Sequence, residues 1–123
     1  MLLMSTEKNL VKNIDEWKLI KNPLLEGIGL MEIVTSSNVT IGRAKIDSPV
    51  KLKSHHHIEE QITVVIEGAM EVCIAGEKRI VAAGDVCIIP SNKEHEVEIT
   101  EVPFLSFDIF TPYKKDYVEK IRG

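Results

Sequence analysis

The sequence has few cysteines, no excess of positive charge and no long apolar segment, and each absence excludes a class of protein. Only two cysteines, Cys73 and Cys87, occur among 123 residues; they form no paired motif, so they indicate reduced thiols rather than a disulfide framework. Fifteen Lys and Arg against 19 Asp and Glu give a net charge of -4. A mildly acidic chain has no electrostatic attraction to nucleic acid or to an anionic membrane. No apolar run approaches the ~20 residues of a membrane-spanning helix. We therefore expect neither nucleic acid nor a membrane as a partner.

The N-terminal sequence also lacks the pattern of a secretory signal. The apolar stretch Met1–Met4 is interrupted at once by Ser5, Glu7 and Lys8, so no continuous apolar core follows the start. Together with the reduced thiols, this predicts a cytoplasmic protein. Hydrophobic residues make up 44% and charged residues 28% of the chain, which is typical of one globular domain.

The chain divides into an N-terminal arm (1–26), a central domain (27–113) and a short tail (114–123). The central part consists of short apolar segments separated by turn residues, and no long helical pattern lies between them. Such spacing predicts an all-β fold, an antiparallel sandwich or barrel. The expected strands are Leu30–Thr35, Val39–Ile46, Gln61–Ile66, Met70–Ala75, Lys78–Val81, Val86–Ile89, Glu96–Thr100 and Phe104–Phe110. The tail predicts a terminal helix over Lys114–Ile121.

The last predicted strand is largely apolar on both faces. Leu105, Phe107 and Ile109 share one face, and the alternate positions from Phe104 to Phe110 share the other. A single small barrel cannot bury both faces, so we expect a second subunit to cover one of them. The sequence thus predicts a homodimer, with the arm segment Lys8–Leu19 against the partner's sheet.

Four histidines lie in two short stretches that suggest a metal site. In extended backbone alternate side chains share a face, so His55 and His57 project together while His56 points away. Two imidazoles on one face can chelate a divalent cation, and the amide oxygen of Gln61 can add a third ligand. The second stretch runs from a Gly-Asp turn through an apolar strand and a proline-led turn to His95, one more candidate ligand.

These two stretches resemble the two sequence motifs of the cupin family. The first has the pattern His-x-His, three residues, Glu or Gln, six residues, Gly; the second has Gly, five residues, Pro, x, Gly or Asn, two residues, His. The resemblance covers roughly 41–113 and implies a conserved-barrel cupin (cupin 2), a double-stranded β-helix or jelly-roll barrel. It also implies one divalent ion, Zn, Ni, Mn or Fe, with the ligands His55, His57, Gln61 and His95.

Two positions depart from the common cupin pattern. Many cupins have Glu where this chain has Gln61. A neutral amide leaves the full charge on the ion, which makes a stronger Lewis acid but a weaker binding site. Ile99 stands where an Asn usually follows the second motif, so we expect no ligand there.

A closer resemblance links the chain to the single-domain cupins of pectin degradation, which convert 4,5-unsaturated uronates into linear ketonised forms. Their last strand ends in a segment matched here by Asp108 and Phe110, with Lys114 or Lys115 at the position of a family Arg. Because Lys lacks the bidentate fork that grips a carboxylate, Arg43 is a second candidate for that role.

Three functions follow from these resemblances. The first is a metal-dependent ring opening or tautomerisation of an unsaturated uronate or related sugar acid, with Asp108 as the group that moves the proton. We expect apolar neighbours to raise the pKa of Asp108 towards the working range of such a group, and Glu60 is the next carboxylate to consider. The second is an Fe(II)-dependent dioxygenase of a small organic acid, and the third is a non-catalytic cupin that binds a small ligand.

Overall fold

Eight strands account for most of the described chain, which is residues 10–121 of a computed structural model. The strands are β1 (Lys18–Leu19), β2 (Gly29–Thr35), β3 (Thr40–Ile46), β4 (Val50–His55), β5 (Glu60–Ile74), β6 (Glu77–Ala82), β7 (Val86–Ile89) and β8 (His95–Thr111). A one-turn helix, α1 (Lys115–Val118), and two 3-10 turns, Ile14–Glu16 and Pro23–Leu25, complete the secondary structure. Within 10–121 no helix is long and apolar enough to cross a membrane.

The long strands β5 and β8 build two sheets by pairing with each other and with different neighbours at their two ends. The front sheet has the order β1-β2-β3-β8-β5-β7 and uses the second half of β8 and the first half of β5. The back sheet has the order β4-β8-β5-β6 and uses the other two halves. All pairings are antiparallel, which confirms the predicted all-β jelly-roll barrel.

The sequence places a strand end at two points where the structure has a bend. β5 runs through Gly68 and β8 runs through Pro103, with register shifts between Val65 and Met70. Gly68 has φ +80°, and a Cβ there would collide with the backbone of Glu101 and Pro103. Glycine is therefore needed because the two bent strands approach each other closely at this corner. The turn residues mark a bulge rather than the end of a strand.

Two further elements differ from the predicted ones. β4 (Val50–His55) is a full strand in which Lys51 and Lys53 alternate with Val50 and Leu52, and it is absent from the eight predicted strands. Helix α1 is shorter than the predicted Lys114–Ile121, because Ile121 leaves the helix and forms a bridge with Ile20. The tail thereby ends against the arm.

The described part of the arm packs on its own barrel. β1 pairs with β2 through Lys18↔Ile33 and Leu19↔Glu32, and Ile20 is only 3% exposed. Lys18 and Leu19 thus pair within their own chain, and the expectation that the arm packs on or pairs with a partner's sheet stays a prediction. Residues 8 and 9 of the predicted arm segment lie outside the described residues.

Candidate metal centre

Three histidines converge where β4 ends and β8 begins. These two strands are antiparallel neighbours, and His55 lies directly opposite His95 in their register. His57 follows in the turn before β5, and the ligand atoms of the three imidazoles all lie within 4.8 Å of one another. His56 points away, and its side chain is 57% exposed with Nδ1 3.5 Å from Glu94.

Each of the three imidazoles is oriented by a backbone carbonyl. Nδ1 of His55 lies 2.8 Å from the carbonyl oxygen of Lys53, Nδ1 of His57 lies 2.9 Å from that of Glu59, and Nδ1 of His95 lies 2.9 Å from that of Lys93. A carbonyl oxygen only accepts, so each Nδ1 carries the proton and each Nε2 presents a lone pair.

The burial of His57 and His95 favours the neutral form of these two imidazoles. Desolvation lowers the pKa of His57 and lowers that of His95 to about 4. Nε2 of His95 is buried and has no hydrogen-bond partner within residues 10–121. A buried lone pair without a partner is unfavourable unless a cation takes it.

Gln61 adds a fourth candidate metal-ligand atom, its amide oxygen, and a chain of hydrogen bonds fixes the orientation of the amide. Thr63 Oγ1 donates to Asp108 Oδ1 at 2.7 Å and accepts from Gln61 Nε2 at 2.9 Å. The amide oxygen Oε1 is thereby turned towards His57 Nε2, 3.1 Å away. Both of these atoms are acceptors, and about 3 Å is the spacing of two ligands bound to one ion with metal–ligand bonds of about 2.1 Å.

The four candidate ligand atoms therefore fit a divalent metal ion. Three imidazole nitrogens and one amide oxygen point at one place, and within residues 10–121 three of the four atoms, His57 Nε2, Gln61 Oε1 and His95 Nε2, have no hydrogen-bond donor facing them. Zn, Ni, Mn and Fe all accept this combination of ligands. Ile99, at the position of the usual Asn, is 2% exposed and belongs to the apolar core.

Asp108 lies on the wall of the cavity into which the histidines project. In β8 the even-numbered positions from Phe104 to Phe110 are buried and the odd-numbered ones are half-buried, as the alternation predicts. Burial raises the pKa of the Asp108 carboxyl to about 6, against the opposing effect of the hydrogen bonds from Thr63 and Gln61. A carboxyl with such a pKa exchanges protons readily near neutral pH.

Of the two lysines that follow β8, Lys114 is the one at the cavity. Its side chain is 8% exposed, and Nζ lies 3.0 Å from Asp116 Oδ1 and 3.6 Å from Glu59 Oε1. The ammonium also lies 4.8 Å from the ring centre of Tyr117. Lys115 is exposed. Of the two lysines that the sequence leaves open, Lys114 thus lines this cavity, and Lys115 does not.

Glu59 is a buried carboxylate that the sequence reasoning missed. Its side chain is 10% exposed, and Oε1 lies 3.4 Å from His57 Nδ1 as well as 3.6 Å from the Lys114 ammonium. Glu60, the carboxylate considered instead, is exposed. The sequence pattern could have identified Glu59. His57, Glu59 and Gln61 are alternate residues, and they share a face if the period of two continues through the turn.

Phe110 supports the metal centre by packing. It is 2% exposed, and its ring meets that of His57 edge-on at 5.8 Å between centroids. The ring of Tyr117 also meets that of Phe110 edge-on, with 5.3 Å between the two centroids. These contacts restrict the orientation of the His57 imidazole.

Arg43 lies outside the cavity, which corrects its assignment as a substrate-binding residue. It stands opposite Phe107 in the β3–β8 register and so shares the outer face of the front sheet. Its guanidinium donates to Glu32 at 2.9 Å and lies 4.2 Å from the ring centre of Trp17. These partners occupy the fork that was expected to bind a carboxylate in the site.

Comparison with known proteins agrees with this architecture. The family model of the cupin domain matches residues 47–109. The pectin degradation protein KdgF of Dickeya dadantii (strain 3937) is 35% identical over 80 residues, which are 65% of this chain and 69% of that protein.

Solved structures give the same result. The structure of KdgF from Halomonas sp. has a TM-score of 0.70 and 28% identity, and the match covers 81% of this chain and 88% of that one. An RmlC-like cupin from Shewanella frigidimarina NCIMB 400 has a TM-score of 0.76 at 17% identity, covering 89% and 96%, and so shares the fold. On the family match and the KdgF relative together, this chain belongs to the cupin family.

Proposed function

We propose that this protein is a metal-dependent enzyme that opens and tautomerises the ring of a 4,5-unsaturated uronate or a related sugar acid. The similarity to KdgF, a pectin degradation protein, supports the substrate class. The observation that carries the reaction type is the buried carboxyl of Asp108, with a pKa of about 6, on the wall of the same cavity as the three histidines.

The reaction needs an acid–base group but no oxidant. A proton leaves the anomeric hydroxyl, the bond between the anomeric carbon and the ring oxygen breaks, and an aldehyde forms. The electron pair of the broken bond goes to the ring oxygen, which gives an enolate. Protonation of the enolate at carbon then gives the ketone, so that one proton is lost, one is gained and nothing is oxidised.

The residues of the cavity would divide this task. His55, His57, Gln61 and His95 would hold a divalent ion, which when bound supplies a Lewis acid that polarises a substrate oxygen. Asp108 would take the hydroxyl proton and return a proton to the enol carbon. Lys114 would offer its ammonium to the carboxylate of the substrate.

The test is turnover of an unsaturated uronate without oxygen. Protein loaded in turn with Zn, Ni, Mn or Fe is incubated anaerobically, and loss of the conjugated absorbance of the substrate is followed. Turnover supports the proposal. Activity that requires oxygen and iron would indicate the dioxygenase instead, and binding without turnover would indicate a ligand-binding cupin.

The replacement Lys114→Met is expected to lower kcat/KM for the uronate by about 10- to 100-fold, the range of one lost charge-assisted hydrogen bond. The effect should appear mainly in KM, because the ammonium binds the part of the substrate that does not react. Lys115→Met is the matched control, since Lys115 is exposed. Equal kinetics of the two variants would remove Lys114 from the site.

A further inference from the structure

The four candidate ligand atoms of the metal centre carry no negative charge. His55, His57 and His95 present imidazole nitrogens, and Gln61 presents the oxygen of a neutral amide. A divalent ion on these atoms keeps both of its positive charges, because no ligand offsets them. The electrostatics of the centre therefore depend on the charged groups just outside the ligands.

One of these groups has the same sign as the ion. The Lys114 side chain is 8% exposed, and it lines the cavity into which the three histidines project. Its Nζ lies 5.5 Å from the centre of the Phe110 ring, which packs edge-on against the His57 imidazole. Because water screens buried charges poorly, an ammonium at this position opposes the binding of a cation to His57.

The Glu59 carboxylate lies against both the ammonium and a ligand imidazole. Its Oε1 is 3.6 Å from Lys114 Nζ and 3.4 Å from His57 Nδ1. The same oxygen is buried and has no hydrogen-bond partner within residues 10–121. A buried carboxylate oxygen without a hydrogen bond is unfavourable unless nearby positive charge stabilises it. The ammonium supplies part of that charge, and an ion on the Nε2 of His57 would supply the rest.

The other carboxylates near the cavity are less suited to balance the charge of an ion. Asp116 accepts a hydrogen bond from Lys114 Nζ at 3.0 Å, but its side chain is 51% exposed, so water screens its charge. Asp108 is buried, but its proposed task is to gain and lose a proton, so its charge changes during the reaction. Glu60 is exposed. Among these residues, Glu59 is the buried carboxylate beside a ligand.

We propose that the Glu59 carboxylate is the counter-charge of the metal centre, and that it allows a divalent ion and the Lys114 ammonium to be held in one cavity. Gln61 contributes an oxygen without a charge, and Glu59, two residues earlier, contributes a charge without a bond to the ion. Lys114 can then bind the carboxylate of a substrate without weakening the hold on the metal. This inference rests on the proposed set of metal ligands.

The backbone of Glu59 has a separate task, which a replacement of the side chain leaves intact. Its carbonyl oxygen accepts a hydrogen bond from His57 Nδ1 at 2.9 Å and so orients the imidazole. Glu59→Gln keeps this carbonyl and nearly the shape of the side chain, and it removes only the negative charge. A change in metal affinity therefore reports the charge of Glu59 rather than the orientation of His57.

The test is calorimetric titration of chelator-stripped protein with NiCl2 or ZnCl2. Glu59→Gln should weaken metal binding by about 10- to 100-fold, the range for groups just outside the ligands of a metal ion. Glu60→Gln is the matched control, because it removes the same charge from the adjacent, exposed residue. Its metal affinity should stay within about 3-fold of wild type.

Lys114 provides the second half of the test. Lys114→Met removes the ammonium and should strengthen metal binding by about 10-fold, since the ion no longer meets a like charge. In the double variant Glu59→Gln/Lys114→Met both charges are absent, and the affinity should return to within about 3-fold of wild type. Damage to the fold would not be repaired by a second replacement in the same cavity, so this recovery identifies an effect of charge.

The outcomes separate this proposal from the ligand set on which it rests. Glu59→Gln with wild-type affinity, beside a weakened His57→Ala, would overturn the counter-charge role alone, and so would a double variant as weak as Glu59→Gln. Equal losses of affinity in Glu59→Gln and Glu60→Gln would also overturn it, because any surface charge would then serve. His57→Ala with wild-type affinity would overturn it together with the ligand set. If Glu59→Gln does not fold, an unchanged affinity of Lys114→Met would overturn it.

Discussion

Replacing His57 with alanine is expected to reduce the affinity for a divalent ion by more than about 100-fold, because a direct ligand contributes more than the outer residues that orient it. His57 Nδ1 is held 2.9 Å from the Glu59 carbonyl oxygen, and Nε2 faces the amide oxygen of Gln61. Removing the imidazole therefore removes one metal ligand. It also removes the group that faces the amide oxygen of Gln61, the second ligand.

His56→Ala is the matched control for this replacement. It deletes the same side chain from the adjacent position, where the imidazole is 57% exposed and faces Glu94. Its metal affinity, measured by the same titration, should equal that of wild type.

A thermal measurement gives a second readout of the same prediction. A ligand at 100 times its Kd stabilises the folded state by about 2.7 kcal/mol, so wild type and His56→Ala should gain melting temperature on addition of metal while His57→Ala should not. Equal losses of metal binding in the two variants would show that the alternation of faces does not extend through the three histidines. The set of metal ligands would then have to be revised.

The sequence was informative where alternation runs along a regular strand. In β8 the period of two separates Ser106 and Asp108 from Leu105 and Phe107, and the structure shows that the first pair faces inward. It also separates His55 from His56. These predictions depend only on local geometry, which an extended backbone imposes on any sequence.

The sequence does not predict the position of a side chain where that position depends on how the strands pair. Arg43 has an inward neighbour on either side, and a one-residue change of register would bring it into the cavity. Only the pairing of Arg43 with Phe107 fixes it on the outer face. Glu59 was missed for the related reason that it lies in a turn, where the period of two is not guaranteed.

The replacement Asp108→Asn is expected to lower turnover of the uronate by about 100-fold or more, the usual contribution of an acid–base group. Asn has nearly the same shape, and its amide oxygen can accept the hydrogen bond that Thr63 donates at 2.7 Å in wild type. Metal affinity should therefore remain near that of wild type. Full activity would show that another group moves the proton, with Glu59 the next carboxylate to test.

The same replacement should make the metal-free protein more stable, which separates a catalytic role from damage to the fold. Burial raises the pKa of Asp108 from 3.8 to about 6 in the folded state. The fold therefore favours the protonated carboxyl, and the stability it contributes below pH 4 is lost as the pH rises through about 6. At about pH 8 wild type carries an unfavourable buried charge of about 3 kcal/mol that Asn lacks.

Chemical denaturation of chelator-stripped wild type and Asp108→Asn between about pH 5 and pH 8 measures this difference. The free energy of unfolding of the variant relative to wild type should increase with pH and level off above the folded-state pKa of about 6. A variant that is inactive yet more stable at the higher pH marks Asp108 as a residue kept for its chemistry at the expense of stability. A variant that is less stable at every pH would show that the carboxylate holds the fold together, and its loss of activity would then say nothing about proton transfer.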